Sequence, residues 1–151
     1  MGSLSSEPSD LQALRDLTSR ERARLVAAAI ALPTAYLLLR TLGYRRTVRL
    51  GERFGRRRAV PADAAARAES TTRLVRVATR RLHLPTTCLS RCLALWFLLR
   101  LQGVPTEIEM GVRAGGAPLD AHAWVVHDGR VLNDVEDVRD RYQVLPPMPR
   151  G

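Results

Sequence analysis

Three residues in the second half of this chain have the types and spacing for nucleophilic catalysis. Cys88 heads an apolar stretch, C-L-S-R-C-L-A-L-W-F-L-L-R-L-Q-G. His122 lies in an alternating segment, D-A-H-A-W-V-V-H, and Asp134 follows the next turn, in R-V-L-N-D. A thiolate is a strong nucleophile, a histidine can take and return its proton, and an aspartate can fix that histidine's tautomer. Together they are the parts of an acyl-transfer enzyme that works through a covalent intermediate on sulfur.

Each residue alone has an ordinary structural explanation. A lone cysteine is usually a small buried hydrophobe, and a histidine beside a tryptophan on an apolar strand often only packs. Position separates Cys88 from that default. It falls just after Pro85, in the first turn of a predicted helix, where free amide groups and the helix dipole favour negative charge. The same amides suit a developing oxyanion, and Thr86 and Thr87 are near enough to assist. Cys92 lies one turn deeper, among Leu93, Leu95 and Trp96, and reads as core. His83 and His127 lack a matching carboxylate and read as structural. A zinc site from Cys88, Cys92, His122 and His127 is not expected, because the two strand histidines point to opposite faces; no cofactor is expected either.

The hairpin poses a register problem. If Asp128-Gly129 is a strict two-residue loop, His127 pairs with Arg130 and Ala123 with Asp134, which turns Asp134 away from His122. A one-residue bulge, or a three-residue loop with Gly129 left-handed, restores a shared face. A catalytic triad therefore predicts an irregular hairpin.

The elements that must position these residues are helical first and sheet-like second, an α+β arrangement. Residues 1–9 read as a loose start, and a helical pattern begins at Ser9 or Asp10. Thr18 or Ser19 is a cap candidate for a second helix, with Glu21 in its first turn. Leu25 to Leu39 is an unbroken, nearly all-apolar run between Arg24 and Arg40. It is shorter than the about 20 residues of a membrane span, and Pro33 is expected to kink or break it. A buried core helix is the favoured reading and an interfacial helix the lesser one. Tyr44 to Val60 carries arginine clusters and reads as a solvated, partly helical basic face. Asp63 is a candidate cap for a helix over Ala64 to Leu82, and Pro85 separates it from the Cys88 helix, which Gly103 ends. Thr106 to Val112 alternates as a half-buried strand, Arg113 to Asp120 reads as a Gly/Pro loop, and the hairpin follows. V-E-D-V-R-D-R-Y is a short helix or turn, and the tail P-P-M-P-R-G is loose. The expected organisation is a helical region over 1–82 packed on a catalytic core over 83–151, forming one unit.

Composition sets limits on this reading. The 151 residues are 46% hydrophobic and 26% charged, which fits a globular chain with its own core and excludes a disordered one. All 24 basic residues are arginine and the net charge is +9, so anionic partners are favoured. Nucleic acid is not expected, because only Phe54 interrupts the arginine clusters and no binding motif surrounds it. Two cysteines one helical turn apart make no disulfide framework, and no secretory signal is visible, so the expected compartment is the cytoplasm.

The run C-L-S-R-C-L-A-L-W-F-L-L-R-L-Q-G-V-P, followed by G-V-R, A-H-A-W-V and N-D, resembles the leader peptidases of bacterial lasso peptide biosynthesis. These belong to the transglutaminase-like branch of papain-type folds. The resemblance covers about Thr86 to Asp134; the N-terminal half agrees only in style. It implies Cys88 as nucleophile, His122 as base and Asp134 as third member, with Arg91 and Trp124 at recurrent supporting positions. The family commonly has serine where this chain has Cys92. The short length resembles the split form, in which a separate small protein recognises the leader. The implied activity is hydrolytic removal of the leader from a ribosomally made precursor. The implied partners are the precursor peptide, that recognition protein and an ATP-dependent cyclase. Two alternatives stand beside it: an acyltransferase or transglutaminase on the same fold, and a non-catalytic basic module that binds a partner or a membrane.

Overall fold

The computed structural model describes residues 18–54, 59–83, 86–113 and 120–147. The loose start, the helical pattern from Ser9 or Asp10, Arg56–Arg58, Pro85, the body of the Gly/Pro loop and the last residues of the tail lie outside them.

Helix α1 runs from Ser19 to Phe54. Thr18 caps it: the Glu21 amide donates to Thr18 Oγ1 (3.3 Å), while the Thr18 amide donates to the Glu21 carboxylate (3.0 Å). Pro33 does not break the helix as expected. The break comes at Gly43, whose φ of 74° and ψ of 172° leave the helical region. Pro33 is tolerated because one side of this stretch packs on neighbouring helices, which holds the backbone in place. Helix α2 spans Ala64–Leu82, and the structure corrects its expected cap. Asp63 occupies the position, but its carboxylate bonds Arg67 Nε (2.8 Å) instead of a backbone amide. Its far end is closed by His83 in the left-handed conformation (φ 46°).

Helix α3, Cys88–Leu101, is apolar on every side and stands at the centre of the molecule. Helices α1 and α2 pack on it from one direction and the sheet from the other. Its residues Cys92 to Leu95 and Leu99 are almost wholly buried, in one cluster with Ala28 and Leu32 of α1, Val75 and Ala78 of α2, and Ala123 and Val125 of the sheet. Gly103 ends it as expected, with φ 77° and its amide donating to the Arg100 carbonyl (3.1 Å).

Four antiparallel strands form one sheet in the order β3-β2-β1-β4: β1 Glu107–Arg113, β2 Asp120–His127, β3 Arg130–Val131 and β4 Gln143–Val144. A short helix α4, Val138–Arg141, precedes β4. The period-2 alternation sends Ala123 and Val125 of β2 toward α3. His122, Trp124 and Val126 face the other side, where Trp124, Val126 and Val138 make a second small cluster. The fold class is α+β, as expected. Strand β4 is an addition: the residues between the expected short helix and the tail pair Gly111 with Val144 and Val112 with Gln143.

The Leu25–Leu39 run corrects the favoured reading. Only one stripe of it is buried, at Ala28, Leu32 and Ala35, whereas Val26, Ile30 and Leu37 are about 60% exposed (59%, 63% and 61%).

Candidate active site

Cys88 is the first residue of α3, and the turn around it is tightly fixed. Thr87 is the N-cap: its hydroxyl accepts from the Ser90 amide (3.1 Å), and its own amide donates to Ser90 Oγ (2.9 Å). This reciprocal cap holds the helix mouth with the Cys88 thiol half-buried and unbridged. The amides of Cys88 and Leu89 belong to the first turn, which has no intrahelical acceptors of its own. Thr87 thus serves first as the structural cap.

His122 and Asp134 meet. His122 Nε2 is hydrogen-bonded to Asp134 Oδ2, both side chains being about one-quarter exposed. A carboxylate only accepts, so Nε2 is the donor in this pair, which leaves Nδ1 as the ring nitrogen not committed to Asp134. Asp134 is itself steadied by the Val135 amide, which donates to Oδ1 (2.8 Å).

The hairpin solves its register problem differently from the bulge or three-residue loop expected. The turn is a regular two-residue one, with His127 opposite Arg130 and both Asp128 (φ 47°) and Gly129 (φ 79°) left-handed. Val126 pairs with Val131, and the Leu132 amide still reaches the Val125 carbonyl (2.9 Å). Then Asn133 interrupts the ladder: its side-chain Oδ1 takes the Val125 amide (2.7 Å), the place of a strand carbonyl. The main chain is freed from the strand at that point, and Asp134 turns to His122.

Asn133 does a second job. Its Nδ2 donates to Cys92 Sγ (3.3 Å), while the Cys92 thiol donates to the Ala123 carbonyl (3.1 Å). Cys92 therefore clamps helix, hairpin and strand together. Burial pushes its thiol up to about 12, the Asn133 contact opposing only in part, so it stays protonated at neutral pH. The expectation that Cys92 is a core residue is met.

Cys88 and His122 open on one cleft of about 300 Å³, whose lining also includes Arg76, Arg80, Arg91 and Asn133. No hydrogen bond joins Cys88 to His122 among the described residues; such contacts often tighten only around substrate. The three arginines are exposed and have no carboxylate partner among the described residues. The rim is positively charged and raises the local concentration of anionic segments of a ligand. A larger cleft, of about 410 Å³, lies toward the other end of α3 near Pro105 and Gly129 and contains neither cysteine nor a carboxylate-paired histidine.

The far side of His122 is packed by rings. Tyr142 lies 5.2 Å from it and Trp124 6.1 Å, centroid to centroid. Trp124 is fully buried, and its Nε1 donates to Glu109 (2.8 Å), which also takes two bonds from Arg139. Those bonds hold the Glu109 carboxyl below the usual range, Arg139 being the largest cause. Tyr142 and Gly111 escaped the sequence reading. Gly111 is the register partner of His122, and a Cβ there would lie 2.8 Å from both Trp124 and Tyr142. Only glycine leaves room for that aromatic backing. A glycine in an otherwise alternating strand was the available signal.

The other histidines sit apart. His127 is buried against the Pro105 carbonyl (2.6 Å) and, contrary to expectation, has a carboxylate beside it, Asp128 Oδ2 at 3.5 Å from Nε2; His83 bonds the Arg81 carbonyl (2.9 Å). No cluster of three metal-ligating side chains occurs among the described residues.

A cysteine at a helix mouth and a His–Asp pair beside an antiparallel sheet stand on an α+β frame that agrees with the family comparison. The family profile of the transglutaminase-like superfamily matches residues 28–146, well over half of the chain. The chain belongs to the transglutaminase-like superfamily. Neither the curated proteins nor the solved structures yield a match.

Proposed function

We propose that this chain is a cysteine peptidase that removes the leader from a ribosomally made lasso peptide precursor. The observation that carries the reading is the shared cleft of Cys88 and the carboxylate-bonded His122. Family membership supports cysteine acyl-transfer chemistry, and the likeness of Thr86–Asp134 to lasso leader peptidases supports the substrate.

In this mechanism His122 Nδ1 takes the Cys88 proton, and the thiolate attacks the carbonyl carbon of the leader–core bond. The Cys88 amide stabilises the oxyanion. The protonated ring, held by Asp134, returns the proton to the departing amine as the C–N bond breaks. Water deprotonated by His122 then cleaves the thioester, releasing the leader carboxylate and the free thiol. Arg91 and its neighbours orient an anionic part of the precursor, and Trp124 backs the His122 ring. A separate leader-recognition protein presents the precursor in the cytoplasm, and an ATP-dependent cyclase consumes the new amine.

The test is mass spectrometry of a lasso-type precursor incubated with this protein and its recognition protein. Cleavage is expected from wild type and Cys92→Ala and lost in Cys88→Ala. Cleavage surviving Cys88→Ala removes the assigned nucleophile. A product carrying the mass of an added amine, in preference to water, assigns the chain to acyl transfer instead.

A further inference from the structure

Helix α1, with arginines at either end of its apolar run, lines no part of the Cys88–His122 cleft. On its outer side Ala23, Val26, Ile30, Thr34, Leu37 and Thr41 are all exposed. Their spacing of three and four residues makes them one straight stripe, on the order of 25 Å long. The opposite stripe, Ala28, Leu32 and Ala35, is the one buried against the rest of the fold.

A solvent-facing helical surface ordinarily carries charges. This one has none between Arg24 and Arg40. Its two polar side chains are internally satisfied: Thr34 Oγ1 donates to the Ile30 carbonyl (2.7 Å) and Thr41 Oγ1 to the Leu37 carbonyl (2.9 Å). Each hydroxyl proton is thus already used within the helix. The helix is long and apolar enough to cross a membrane by length and composition, yet its inner stripe is committed to the core. Crossing would drag the charged faces of the rest of the fold into lipid, at high cost. Lying in the surface of the membrane costs nothing of the kind.

Charge indicates which membrane. Only Glu21 and Glu52 are acidic in α1, whereas Arg40, Arg45, Arg46, Arg49 and Arg53 are exposed and unpaired with carboxylates among the described residues. Arginine stems lie along apolar surface while the guanidinium reaches headgroup phosphates. We infer that the outer stripe of α1, from Ala23 to Thr41 with the arginines after it, docks this protein flat on an anionic lipid bilayer.

Flotation of the full-length protein with vesicles tests this. Wild type is expected to float with phosphatidylglycerol–phosphatidylcholine vesicles at low salt and to remain behind with pure phosphatidylcholine. Ile30→Asp/Leu37→Asp, both on exposed positions, is expected to keep its circular dichroism and lose binding by tenfold or more. Arg40→Gln, Arg45→Gln and Arg46→Gln each weaken binding roughly fivefold, as added salt does. Cys88→Ala floats like wild type, which separates this surface from the peptidase reading. Wild type left in solution with anionic vesicles overturns the inference, as does undiminished flotation of the double aspartate variant. A lipid-independent dimer abolished by that variant, without vesicle binding, assigns the stripe to a second copy of the chain.

Discussion

The first turn of α3 and the turn after it carry the same functional group to opposite ends. Cys88 is half-buried, capped in place by Thr87 and open to a cleft it shares with His122. Cys92 is fully buried, its thiol spent on the Ala123 carbonyl and on Asn133. One turn of helix separates a thiol free to meet a substrate from one that is a structural clamp. The difference lies in burial and hydrogen bonding, not in the residue, and Asn133 ties the two together. It anchors Cys92 with one end of its amide and, with the other, ends the strand so that Asp134 can reach His122.

The largest contrast is in alkylation. At pH 8 a thiol displaced to about 12 is thiolate in only about one molecule in ten thousand, and Cys92 is shielded besides. Iodoacetamide is therefore expected to label Cys88 alone in the folded protein, with Cys92 labelled only after denaturation; peptide mapping checks this. Equal labelling of both in the native state would break the comparison.

Asp134→Asn is expected next in size. An amide can donate to His122 and select the wrong tautomer, so cleavage should fall on the order of 10³–10⁴-fold with little change in melting temperature. Asn133→Ala should act on both turns at once. Leaving the Val125 amide without its acceptor and Cys92 Sγ without the bond it accepts costs about 1–3 kcal/mol in chemical denaturation, and cleavage falls as Asp134 loses its approach. If stability drops while activity holds, the hairpin does not depend on Asn133.

Two smaller effects concern the backing of His122 and the titration of Cys92. Gly111→Ala places a Cβ 2.8 Å from Trp124 and Tyr142, an overpacking expected to cost about 1–3 kcal/mol and to lower activity by displacing the ring behind His122. Burial raises the folded pKa of the Cys92 thiol above its ordinary value of 9.0. Its contribution to stability is thus complete below about 9 and is lost as pH rises toward 12. Denaturation followed across that range should show a decline that Cys92→Ala reduces.

How much of this was legible beforehand differs by element. The α3 mouth could be read directly, because Pro85 and an apolar run ending at Gly103 are local signals; that Thr87 caps it came from the structure. The hairpin turn was legible for the same reason, in Asp128-Gly129. The device that brings Asp134 to His122 was not. An asparagine side chain substituting for a backbone carbonyl has no periodicity, so a bulge or a three-residue loop was expected where Asn133 does the work. Pro33 misled for a related reason: its local penalty was real, but packing on one side of α1 outweighed it, and Gly43 took the break.

The sequence by itself determined most of the elements and their order, strand β4 excepted, where the Cys88 helix starts, and which residues could do chemistry. Those follow from propensity, capping and apolar spacing, which act over a few neighbouring residues. Tertiary structure alone decided that Cys92 is a clamp, that Tyr142 and Gly111 back His122, and that one apolar stripe of α1, including Val26, Ile30 and Leu37, faces outward. Each depends on which surfaces meet across the fold, and burial on contact is set by partners far away in the chain. The 15 acidic and 24 basic residues were countable from the start; that the arginines of α1 border a bare apolar stripe became visible only once its other side was covered.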